Sequence, residues 1–130
     1  TWTTHATGRL VDGKCSPTKH HVPAADDMTE IDPADLYAAL TSNGMTYGPN
    51  FRRVTSLLAN AKQAVATVDA RLDDSTRHLA HPGVIDAALH TISPLIDQSV
   101  GHTLGTIVPI GVDAVRVFGP FPDRVEVLTS

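Results

Sequence analysis

The chain has 130 residues, 42% hydrophobic and 18% charged, with a formal net charge of −4 and a mean hydropathy of −0.04. Those values suit one globular domain with a single core, and they argue against nucleic-acid binding, which needs clustered Lys and Arg, and against a bilayer span, since the apolar runs are too short. One cysteine, Cys15, excludes an intrachain disulfide and fits a reducing cytosol, so a cytoplasmic setting is expected.

Residues 2–11 predict a short strand with a turn at Asp12-Gly13. Residues 14–30 are polar, contain Pro17 and Pro23 and lack periodicity, which reads as a linker. A helix follows: Asp32 is a good N-cap, Pro33 suits the first helical position, Asp35 sits where a capping-box acid would, and Leu36, Tyr37 and Leu40 form the apolar stripe. Asn43-Gly44 supplies the stop.

Residues 51–59 and 63–72 read as two strands joined by Asn60-Ala61-Lys62, the second alternating Val65, Thr67, Asp69 and Arg71 with Ala64, Ala66, Val68, Ala70 and Leu72. From Pro82 the most apolar helix carries Ile85, Leu89, Ile92 and Ile96, and Pro94 should kink or end it near Ser93. Residues 103–118 predict one or two strands interrupted by Pro109 and Gly111, and a last strand begins at Arg124. The order implies an α+β fold, an antiparallel sheet against one central helix. A start without Met and a stop inside an alternating run suggest a piece of a larger polypeptide.

The seven histidines are the first candidates for chemistry. His20 and His21 fall in the linker. His78 and His81 have HxxH spacing, and Asp86 and His90 lie one helical turn apart; one reading joins these four as a zinc site, although no HExxH or paired-cysteine pattern accompanies them. The other reading takes Asp86 and His90 alone. Residues at i and i+4 face each other, and the stripe centred on Ile85 and Leu89 leaves both on its flank. That is either a plain exposed helix face or, on a half-buried flank, a carboxyl group with a raised pKa suited to acid–base work. Residues 44–51, Gly-Met-Thr-Tyr-Gly-Pro-Asn-Phe, demand a tight turn at Tyr47-Gly48-Pro49, either structural or forming the mouth of a pocket.

Tyr47-Gly48-Pro49-Asn50-Phe51 resembles the YGPxF motif of polyketide synthase dehydratase domains and related fatty acid synthases. His81-Pro82-Gly83-Val84-Ile85-Asp86 through His90 resembles their HPxxxD and DxxxQ/H motifs. Trp2, His5, Ala6 and Gly8 resemble the strand closing the family's first half, and Val108-Pro109 a later LP-type motif. The resemblance implies a double hot dog, each half a long helix wrapped by an antiparallel sheet. It divides the chain into an end strand of the first half (1–13), a linker (14–31) and a C-terminal half (32–130) truncated at its C-terminus. It implies a catalytic pair, with Asp86 protonating the leaving 3-hydroxyl of a 3-hydroxyacyl thioester and His90 orienting it. Tyr47, Gly48, Pro49, Phe51, Pro82 and Pro109 would bind the acyl chain. No cofactor or metal is implied, the substrate being carried on the phosphopantetheine of an acyl carrier protein, for which Arg52 and Arg53 are candidate contacts.

The family's HxxxGxxxxP base motif is absent from these 130 residues. The chain alone is therefore expected to be inactive without the N-terminal hot-dog half, and a homodimer could stand in for that half. Two other readings stay open: a product template domain fragment and a non-catalytic hot-dog interaction module.

Overall fold

The computed structural model describes residues 2–4, 7–11, 13, 16–17, 21–22, 25–72, 78–100 and 108–130, with the backbone alone for 97–100. His5, Ala6, Asp12, Cys15, His20 and residues 101–107 lie outside the described residues.

The first helix, α1 (Pro33–Ser42), forms where its signals place it. The Asp32 side chain accepts the Ala34 N–H at 2.7 Å, satisfying one of the N–H groups a helix start leaves unpaired. Its C-terminal end closes through Gly44 N–H donating to the Thr41 carbonyl at 2.9 Å, with Gly44 at φ 86°. That left-handed backbone is one glycine adopts without a steric penalty. Leu36, Tyr37 and Leu40 are the buried stripe.

A four-stranded antiparallel sheet has the order β1 (Thr29–Glu30), β2 (Val54–Ala59), β3 (Ala64–Asp69), β4 (Arg124–Thr129). The β2–β3 hairpin turns on Asn60, whose side-chain oxygen accepts the Lys62 and Gln63 N–H groups, each at 2.9 Å. The register shifts between Val54 and Ser56. The extra residue lets Val54, Leu57 and Ala59 all reach the core, which strict alternation would forbid. In β3 the alternation is regular, with Ala64, Ala66 and Val68 buried and Ala70 continuing the series.

The apolar helix is two pieces, α2 (Pro82–His90) and α3 (Ser93–Val100). Pro94 stands in the first turn of α3, where its missing N–H costs nothing, so the residue expected to end one helix starts the next. The buried face of α2 also differs from the expected stripe. Gly83, Val84, Ala87 and His90 are buried, whereas Ile85 is 38% exposed. The helix packs on β3, whose core face is built of Ala64, Ala66 and Val68, and small residues on both surfaces let the two backbones approach closely. His90 is therefore on the buried face, not on its flank.

Three expectations are corrected. The described residues of 2–11 contain no strand, and Trp2 and Leu10 are fully exposed. The linker is not structureless: it includes a 3-10 turn at Ala25–Asp27 and the strand β1. Residues 108–118 form no strand, and Val108, Ile110, Val112 and Val115 are exposed. A strand is held by a neighbour's N–H and C=O groups, and these apolar runs meet no sheet edge among the described residues. No helix among the described residues is long and apolar enough to cross a membrane.

Candidate active site

Three segments converge on His90. From α1 comes Tyr37, 5% exposed. Its phenol oxygen accepts the Val54 N–H at 3.1 Å and donates to the Phe51 carbonyl at 3.4 Å. One side chain thereby ties α1 to the end of the 47–51 turn and the start of β2. The turn itself is closed by Phe51 and Arg52 N–H groups donating to the Gly48 carbonyl at 3.0 and 3.2 Å.

The third segment is α2. His81 is its N-cap: the imidazole Nδ1 accepts the Gly83 N–H at 3.0 Å, serving as the oxygen of a Ser or Asp usually does. A Cβ on Gly83 would stand 2.7 Å from the Asn50 carbonyl oxygen. Glycine is needed here because the 47–51 turn rests directly on the first turn of the helix. The glycine requirement expected at Gly48 is not present: its φ is not positive, and a Cβ there would meet nothing within 4 Å.

This packing sets Tyr47 over His90, ring centroids 4.1 Å apart, with Tyr37 edge-on to the same imidazole at 5.7 Å and 89°. His90 Nε2 lies 3.0 Å from Asp86 Oδ2. The His90 side chain is 4% exposed and that of Asp86 38%. One carboxyl oxygen is thus held from inside, while Oδ1 meets no donor among the described residues. Burial lowers the His90 pKa, opposed by the charge of Asp86 and its hydrogen bond. Burial raises the pKa of Tyr37 and Tyr47, helped in Tyr47 by the nearby Asp86, so both remain phenols near neutral pH.

The expected site residues divide by position. Asp86, His90 and Tyr47 form one group. Phe51 and Pro82 instead line a neighbouring open cleft of about 490 Å³, together with Asn50, Arg53, His78 and His81. Gly48 and Pro49 are exposed on the turn, and Pro109 is exposed in 108–118. The four residues of the zinc reading remain two pairs: His78 packs edge-on to His81 with centroids at 4.8 Å, and Asp86 bonds His90. Among the described residues no three His, Cys, Asp or Glu side chains converge as metal ligands. Arg53 is committed to the sheet, donating to the Asp69 and Arg71 carbonyls at 2.9 and 2.7 Å and pairing with the Asp69 carboxylate at 3.2 Å. Arg52 lies over the Tyr37 ring at 4.9 Å.

Sequence alone assigns no role to Tyr37 beyond the stripe, nor to His81 as a cap or Gly83 as a contact point. A tyrosine in a stripe otherwise built of leucine was the available signal, since a buried phenol must find a partner. Nothing in the sequence marks the Gly83–Asn50 contact, which joins two distant segments. Chemically, the group offers a half-exposed carboxyl held at one oxygen by a buried imidazole, with its other oxygen meeting no donor among the described residues, an arrangement compatible with delivering a proton.

A family model described as "Polyketide synthase dehydratase N-terminal domain" matches residues 15–129. The chain is 28% identical over 151 aligned positions, 99% of its length, to a phenolphthiocerol/phthiocerol polyketide synthase of Mycobacterium tuberculosis. It is 28% identical over 98 positions, 68% of its length, to highly reducing polyketide synthase 17 of Metarhizium anisopliae. It spans 7% and 3% of those relatives. A solved structure, "Structural insights into dehydratase substrate selection for the borrelidin and fluvirucin polyketide synthases", superposes with a TM-score of 0.65 at 22% identity, over 91% of this chain and 41% of that one. The shared fold is the hot dog, an α+β antiparallel sheet with a helix against it.

Proposed function

Since the chain belongs to the polyketide synthase dehydratase family, we propose that it supplies the acid of a dehydratase acting on 3-hydroxyacyl thioesters. The substrate would be carried on the phosphopantetheine of an acyl carrier protein. A base abstracts the proton at C2. The C–H electrons become the C2–C3 double bond, the C3–O bond breaks, and the Asp86 proton goes to the departing hydroxyl to give water and a trans-2-enoyl thioester. Hydroxide leaves poorly, so an acid within hydrogen-bond reach lowers the barrier. His90 is the positioning residue for that acid, and Tyr47 forms a wall beside it.

The observation that supports this reading is the asymmetry of Asp86: one oxygen bonded to a buried imidazole, the other meeting no donor among the described residues, on a side chain that is 38% exposed. The matched family model bears the description of an N-terminal domain. The acid motif, with no HxxxGxxxxP in these residues, supports assignment to the acid-bearing half, residues 32–130. The base would be an imidazole of a companion half. Exposed apolar side chains, Ile85 among them, support pairing with that half, or with a second copy when it is missing.

The test is turnover of a 3-hydroxyacyl thioester. The chain alone should show negligible elimination, and a dehydratase domain containing it should be active. Asp86→Asn in that domain should cost about 10²-fold or more, the usual worth of general acid–base catalysis. Robust turnover by the isolated chain, or full activity of Asp86→Asn, would overturn the reading.

A further inference from the structure

We propose that His90 is held as its Nε2–H tautomer, donating to Asp86 Oδ2, so that the transferable proton of the pair resides on Oδ1. The role given to that proton rests on the dehydratase reading above; the tautomer does not.

The 3.0 Å contact permits three proton arrangements. Asp86 can donate from Oδ2 to a bare Nε2, leaving the imidazole proton on Nδ1. The imidazole can be doubly protonated. Or Nε2–H can donate and leave Nδ1 bare. The choice is made at the far side of the ring, where Nδ1 is buried and has no hydrogen-bond partner. The first two arrangements put an N–H there with nothing to accept it, at a cost of roughly 1–3 kcal/mol, and the second adds a buried charge. A bare acceptor in that position is tolerated better than an orphaned donor.

The neighbours close off other solutions. Tyr47, from the turn, covers the ring but directs its hydroxyl to Met45 Sδ at 3.6 Å. Tyr37, from α1, uses its hydroxyl on Val54 and Phe51. Asp86, on the same helix, is the one charged group bonded to the imidazole among the described residues. The burial that lowers the His90 pKa acts in the same direction, favouring the neutral ring.

The arrangement assigns the two carboxyl oxygens different work. Oδ2 accepts the imidazole N–H and cannot also hold a proton along that line. Oδ1, which meets no competing donor among the described residues, is the oxygen left to carry the proton of the acid form, on a side chain that is 38% exposed.

Nitrogen-15 NMR of the labelled chain tests this. Long-range correlations within the imidazole rings distinguish a protonated from a bare ring nitrogen, and the His90 set is identified by its loss in His90→Gln. Should that variant fail to fold, cross-relaxation between the imidazole and the Tyr47 ring identifies it in the native chain. The expected result at neutral pH is a protonated Nε2 and a bare Nδ1. A protonated Nδ1, or an imidazolium at neutral pH, would overturn the proposal. Turnover assays probe the dehydratase reading separately: a bare Nδ1 in a protein whose complete domain dehydrates nothing sinks that reading and leaves the tautomer intact.

Discussion

Tyr37 shows how much of the site depends on a single oxygen. Its hydroxyl pairs the Val54 amide at the start of β2, and its ring braces His90. Tyr37→Phe keeps the ring and strands that buried amide, so it should lower stability by about 1–3 kcal/mol, read as a fall in thermal midpoint. Tyr37→Ala also removes the brace and should cost more. At this scale the sequence disclosed the Asp86–His90 pair, because helical geometry brings i and i+4 together whatever surrounds them. It did not disclose that His90 is buried, because its burial depends on Tyr37 and Tyr47 arriving from 53 and 43 positions away in the sequence.

Among the elements, the ends of α1 were legible: Asp32, Pro33 and Gly44 each act locally, and the structure uses all three as expected, whereas Asp35 makes no capping-box bond among the described residues. The face of α2 was not, because hydrophobic size chose Ile85 and Leu89 while close packing on the alanines of β3 selects thin residues. Ala87→Leu places a large side chain at a position with no exposed surface and should destabilise by about 1–3 kcal/mol, whereas Ile85→Ala in the isolated chain should have little effect; denaturant melts compare the two. Gly83→Ala drives a methyl against the Asn50 carbonyl, so the turn must retreat from α2. The Tyr47–His90 contact should loosen with it, visible as changed chemical shifts for both rings. The end of the β2–β3 hairpin is held by Asp69, whose pKa is lowered to about 2, first by the hydrogen bond from Arg71 and further by Arg53. A depressed carboxyl pKa stabilises the fold above its unfolded value of about 3.9. That stability is lost as pH falls through about 2. Asp69→Asn should weaken the fold at neutral pH and flatten its stability profile across that acid window.

At the scale of the whole molecule, apolar surface is left uncovered. Local patterns predicted strands at 2–11 and 103–118, yet the described parts of both lie exposed, because periodicity reports a segment's fitness to pair and not whether a partner is present. Val108, Ile110, Val112, Val115 and Phe118 are all exposed apolar side chains, and such surface promotes association. Light scattering on the isolated chain should therefore show self-association that rises with concentration and, on the reading proposed above, is suppressed by adding the companion half; a monomer at all concentrations would contradict this. The depth of His90 also decides what chemical modification of the folded molecule can report. A reagent that acylates imidazoles meets His21 and His78, both exposed, long before it reaches a ring sealed beneath two tyrosines. Inactivation of an intact domain by such a reagent would accordingly implicate some other histidine, and protection of this one would register only as residual labelling released on unfolding.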